Sequence, residues 1–174
     1  PADLEEGRWS GLFTAMLVHG GWTHAWVNAI GALAFGAPVA RLFGDRIGPT
    51  IYLLFYVMCG ALATLGYGLI HWGSTAPMVG ASGAVFGLIG AATRLMGVAP
   101  GGAVLALTDR RVVAASIAWM GVNAVTGLIG YVPGADGAGI AWEAHAAGFV
   151  VGMLAIGPLA RAFGRPAAQA PARG

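Results

Sequence analysis

The chain has no lysine, a single cysteine and little charge of either sign: nine arginines and seven acidic residues make up 9 % of its 174 residues, for a net charge of +2. A water-soluble domain carries about 25 % charged residues, so this chain cannot cover itself with polar surface. The lone Cys59 lies in an apolar segment and excludes both an intrachain disulfide and a cysteine-based zinc site. Alternating strand patterns are also missing, and with them a soluble α/β-hydrolase. The nucleophile elbow of that fold needs Gly-x-Ser-x-Gly after a strand, whereas Ala84 stands at the fifth position here. No internal repeat is visible and no carboxylate falls inside an apolar segment, which argues against an ion-coupled transporter. The basic residues form no patch of the kind that grips nucleic acid, and no secretory signal pattern opens the chain.

What the sequence does contain is apolar residues, 57 % of the total, and thirty glycines. The apolar residues fall into five blocks of near membrane-spanning length: 13–39, 51–72, 81–96, 112–131 and 144–163. An all-α polytopic membrane bundle follows, because backbone groups in lipid must be satisfied within each segment. Glycine weakens a helix in water by about 1 kcal/mol relative to alanine, but in lipid it lets helix backbones approach closely. Eight of the nine arginines follow the first, third or fifth block: Arg41, Arg46, Arg94, Arg110, Arg111, Arg161, Arg165 and Arg173. The opposite loops hold Arg8 with Asp3, Glu5, Glu6, Asp136 and Glu143. By the positive-inside rule the arginine-rich loops are cytoplasmic. Trp9, Trp22, Trp72 and Trp142 fall near the outer ends and read as interface anchors, and the tail over 164–174 is expected to be disordered.

Blocks one, three and five run in one direction, so their N-terminal ends share the outer leaflet. His24 and Asn28 lie early in the first, on one helix face by their i, i+4 spacing; Ser82 opens the third and His145 opens the fifth. The third block is short, about 16 residues or ~24 Å of helix, which places Ser82 below the outer surface in a recess reached by water. Gly83 and Gly87 in the third block and Gly148 and Gly152 in the fifth give two GxxxG rows, and packing one row on the other would bring Ser82 and His145 together. A serine attacking a peptide carbonyl needs a base, and histidine is suited by its near-neutral titration. It also needs donors for the developing oxyanion; His24, Asn28 and the Ser82 N–H are candidates. No acidic residue is placed to orient His145, since Glu143 points elsewhere on the helix, so a dyad without a carboxylate is expected. The chemistry asks for no metal and no cofactor. A serine beside glycine in a membrane helix is more often a packing residue, and an intramembrane histidine can simply bridge helices. What favours chemistry here is the alignment of four such groups in one leaflet. His19 is expected to tie down the preceding loop, His71 to be an interfacial residue without a partner, and Asn123 and Thr126 to act as interhelical glue.

Three motifs carry a resemblance to the rhomboid family of intramembrane serine proteases over about Trp9 to Gly157. They are His19-Gly-Gly-Trp-Thr-His24-Ala-Trp-Val-Asn28, Gly80-Ala-Ser82-Gly83, and Ala144-His145 followed by Gly148 and Gly152. The resemblance implies a membrane protease domain over 1–163, with 1–12 an outer loop. It also implies Ser82 as nucleophile, His145 as general base, and oxyanion stabilisation by His24, Asn28 and the Ser82 backbone. Phe86 would be the ring that packs on the catalytic histidine. The substrates implied are transmembrane helices of other proteins, cut near their outer ends at small residues with helix-weakening residues after them. The implied setting is the inner membrane of a bacterium, as an Ala-, Gly- and Arg-rich composition also suggests, with the site opening outward. Two departures from the family stand out. Trp9 is followed by Ser10 and Gly11 where the family has a Trp-Arg pair. The chain also begins at the loop that follows the first of the usual six helices. The alternative is a catalytically silent rhomboid-like protein that binds transmembrane helices.

Overall fold

A computed structural model describes residues 1–43, 46–99, 102–130 and 140–165. Asp136, Tyr131, Arg173 and the tail from residue 166, which figure in the expectations above, lie outside the described residues. Within them the protein is helical, with no strand and one isolated bridge between Phe43 and Gly164. In order the helices are α1 (Ala2–Glu5), α2 (Gly11–Thr14), a 3-10 turn (Ala15–Leu17), α3 (Trp22–Leu42), α4 (Gly48–Ile70), α5 (Ser82–Thr93), α6 (Arg110–Ile129) and α7 (Trp142–Phe163). α3, α4, α6 and α7 are long and apolar enough to cross a membrane, and α5 is a shorter apolar helix among them. This is an all-α polytopic membrane protein.

The helix limits refine the sequence reading where local chemistry decides. The first block does not run unbroken from Phe13. It divides at Gly20-Gly21, and the spanning helix starts at Trp22, after α2 and the 3-10 turn. α4 admits Pro49 in its first turn, where the missing N–H has no intrahelical acceptor to lose. α5 ends at Thr93, three residues before Met96, so its twelve residues rise only about 18 Å. α6 begins on a side-chain cap, Asp109 accepting from the Arg111 N–H at 2.9 Å. It ends at Ile129 because Gly130 adopts φ +67°, a left-handed stop that glycine accepts without strain. Asp109 is held down at about 2 by its bonds from the Arg111 side chain and backbone N–H.

α5 is the axis of the bundle. Nine of its twelve residues are buried, from Gly83 to Thr93, and it packs most closely on α7, then on α4 and α3. Contact with α7 is backbone on backbone. A Cβ placed on Gly148 would strike the carbonyl of Gly83, one on Gly152 the carbonyl of Gly87, and one on Gly90 the carbonyl of Phe149. Because these pairs advance together along both chains, α5 and α7 run parallel. α3 runs alongside in the same sense, with Gly31 against Val85 and Gly36 near Leu88. α4 lies antiparallel, with Cys59 against Gly87 and Ala63 against Gly83. Val39, Phe43, Phe55, Cys59, Leu88, Ala91 and Ile156 form the central apolar cluster between these four helices. At the end where α3, α5 and α7 finish, Arg94 reaches the carbonyls of Leu105 and Met153, each at 2.8 Å, and Arg165 donates to the Phe43 carbonyl at 2.8 Å. α6 stands outside, burying only Val112 and Asn123.

Candidate active site

The start of α5 lacks a side-chain cap, and Gly80 just before it has φ +115°, a conformation that favours glycine. A Cβ at Gly80 would also sit 2.6 Å from His24 Cε1 and Nε2 and 3.7 Å from Asn28 Nδ2. Only glycine leaves room for the strand-like approach to α5 beside these two side chains. The Gly80 N–H donates to the Ala15 carbonyl at 2.9 Å, pinning this approach to the 3-10 turn. Ser82 is the first residue of α5, so its N–H is among those with no intrahelical acceptor. The positive end of the helix dipole faces the same space.

The glycine register of α5 on α7 sets the depth of both chemical groups. Ser82 Oγ and His145 Nε2 are 2.8 Å apart. Phe86, one turn beyond the serine, stacks its ring on the His145 imidazole at 4.3 Å between centroids and 5° between planes. Its edge in turn meets Trp119 of α6 at 6.5 Å, and Trp119 packs edge-on against Phe35 at 5.2 Å. On the α3 side, Asn28 is 6 % exposed and its Nδ2 is buried with no hydrogen-bond acceptor among the described residues. A buried amide donor left open costs free energy unless something occupies it. His24 stands one turn before it, its ring edge-on to His19 at 5.2 Å. Among the described residues His19 Nε2 is likewise buried without a hydrogen-bond partner, and its ring contact is with His24 rather than a bond from Nε2 to the preceding loop.

Three contacts were not legible from motifs. Asn123, read from the sequence as helix glue, brings its Oδ1 to 3.0 Å from His145 Nδ1 while its Nδ2 donates to the Trp142 carbonyl at 2.8 Å. His71, expected to lack a partner, stacks on Tyr67 at 4.2 Å and lies 3.3 Å from a Glu143 carboxylate oxygen through Nε2. Glu143 therefore turns away from His145 toward the end of α4. Among the described residues Thr126 bonds within its own helix, its hydroxyl donating to the Asn123 carbonyl at 2.9 Å. A cavity of about 330 Å³ opens beside the site, between the N-terminal segment, α4 and the stretch 75–79. Asp3, Arg8, Thr64, Tyr67 and Pro77 are among its lining residues, and Ser82 and His145 are not.

A multi-pass helical membrane protein with a serine and a histidine in hydrogen-bond contact at one end of its central helix pair defines a narrow class. The family comparison agrees with it: the rhomboid domain matches residues 6–162, and the chain belongs to the rhomboid family. Two Bacillus subtilis proteins are similar to it. YdcA, provisionally named a rhomboid protease, is 34 % identical over 91 residues, which cover 50 % of this chain and 41 % of that protein. The rhomboid protease GluP is 31 % identical over 88 residues, covering 51 % of this chain and 16 % of GluP. The chain thus matches well under two thirds of the length of either relative. No solved structure matches significantly.

Proposed function

We propose that the protein is an intramembrane serine endopeptidase that cuts the transmembrane helices of other membrane proteins. The observation that carries this reading is the 2.8 Å contact between Ser82 Oγ and His145 Nε2, at the end of the bundle where the buried Asn28 amide donor has no acceptor among the described residues. In the proposed reaction His145 takes the hydroxyl proton as Ser82 Oγ attacks the peptide carbonyl. The oxygen that becomes anionic accepts hydrogen bonds from the Ser82 N–H, Asn28 Nδ2 and the His24 imidazole, aided by the α5 dipole. His145 then gives its proton to the departing amine, and water, activated by the same base, releases the acyl group. Phe86 holds the imidazole plane through both proton transfers.

Charge distribution supports a site on the outer side. Arg41, Arg94, Arg110, Arg111 and Arg161 lie at the helix ends opposite Ser82 and His145, while Asp3, Glu5, Glu6 and Glu143 share the site's end with Arg8. Substrate preference follows the family resemblance: small residues at the cut and a helix that unwinds readily after it. The test is cleavage of a reporter transmembrane helix by the reconstituted protein. Ser82→Ala should abolish it, and Asn28→Ala should lower kcat by about 10²- to 10³-fold, the cost of losing one oxyanion donor. A Ser82→Ala protein that still cleaves would refute the assignment, and a parent that binds the helix without cutting it would favour a silent binder.

A further inference from the structure

The imidazole of His145 makes two polar contacts, one from each nitrogen. Nε2 meets Ser82, and Nδ1 meets Asn123 on a helix that otherwise buries almost nothing. Asn123 is 2 % exposed, so its amide must be satisfied within the protein. Its Nδ2 lies 2.8 Å from the Trp142 carbonyl, which can only accept. That fixes which way the amide faces: nitrogen toward Trp142, oxygen toward His145. An amide oxygen also only accepts, so His145 Nδ1 must carry a proton. In the neutral imidazole Nε2 is then the bare nitrogen, and the Ser82 hydroxyl donates to it. One backbone carbonyl thus determines the direction of every hydrogen bond through to the nucleophile.

We infer that Asn123 is the positioning residue of the site, holding His145 in the Nδ1–H tautomer and in the ring orientation that leaves Nε2 free to take the Ser82 proton. The inference rests on the proteolytic reading above. It assigns to an amide on α6 the orienting task that a carboxylate performs in serine hydrolases with three-membered sites.

The experiment uses the reconstituted chain with Asn123→Ala, Asn123→Leu and Asn123→Asp, each assayed for kcat and KM on a reporter helix. Alongside it, nitrogen-15 NMR of histidine-labelled protein reads the tautomer of His145 without turnover. Asn123→Ala and Asn123→Leu should lower kcat by roughly 10- to 100-fold, no more than the lower end of the 10² to 10⁴ that general-base catalysis as a whole supplies, with KM little changed. Asn123→Asp keeps the acceptor for Nδ1–H but loses the donor to Trp142, so it should recover most of the rate. If Asn123 only fastened α6 to the start of α7, Asn123→Asp would fare no better than Asn123→Ala. The parent spectrum should show His145 protonated at Nδ1, and Asn123→Ala a mixture of tautomers. Parental kcat in Asn123→Ala, no rescue by Asp, or a parent protonated at Nε2 would each overturn the inference. A parent that cleaves nothing would overturn the proteolytic reading instead, and the tautomer measurement would then decide the role of Asn123 alone.

Discussion

α5 and α6 are both apolar helices of one membrane bundle, yet their situations are opposite. α5 has twelve residues and buries nine of them; α6 has twenty and buries two. Hydrophobicity does not separate them, because lipid is as good a solvent for valine or leucine as the bundle interior. The separation comes from side-chain size. Glycine at 83, 87 and 90 lets α5 lie with its backbone against α7 and its flank against Cys59 and Ala63. α6 instead turns Ile117, Val122, Leu128 and Ile129 outward, each more than half exposed to its surroundings. The proposed nucleophile is thus carried by the most buried helix of the bundle, and its proposed base by the helix seated directly on it. The outer helix contributes a single buried amide.

The sharpest way to break this comparison is to make one substitution in both regions. Gly90→Ala or Gly152→Ala drives a methyl group into the backbone of the facing helix, which cannot yield as a side chain would. We expect a loss of at least the 1–3 kcal/mol typical of overpacking, read as a fall in the thermal midpoint of the solubilised protein, with loss of cleavage at 37 °C. Unchanged stability would mean that the two helices are not in backbone contact. Aromatic rings extend the comparison at intermediate scale. Phe86→Ala removes the ring stacked on His145 and should lower kcat/KM by about tenfold, in line with the 0.5–1.5 kcal/mol that ring pairs contribute beyond burial. Trp119→Ala, which touches that ring only by its edge, should cost less; equal losses would place α6 as close to the chemistry as α5. At the small end, Gly121→Ala in α6 meets no atom within 4 Å. It should leave activity intact and raise the midpoint slightly, by no more than the ~1 kcal/mol helix preference of alanine over glycine. A large loss there would show that α6 has a packed partner.

The same contrast explains what could be read from the sequence. The five apolar segments were legible because lipid demands long uncharged runs, and the convergence of His24, Asn28, Ser82 and His145 at one end follows from helix direction alone. The GxxxG rows indicated which two helices could touch, since small residues at that spacing leave a flat face. The break at Gly20-Gly21 was obscured because Phe13 to Val18 is as apolar as the spanning helix that follows it. Asn123 and the His71 pairing with Glu143 could not be read, because each joins residues more than twenty positions apart on different helices. Local spacing carries no signal for such contacts. A polar residue in an otherwise lipid-facing helix was the available clue for Asn123, and it does not say which neighbour the residue meets.

The most direct test of the central claim is covalent labelling of the membrane-reconstituted protein by a fluorophosphonate, which requires an activated serine but no knowledge of the substrate. The account predicts a single adduct on Ser82, located by mass spectrometry of the digested protein and absent from both Ser82→Ala and His145→Ala. An adduct elsewhere, or labelling of Ser82 that persists without His145, would contradict it.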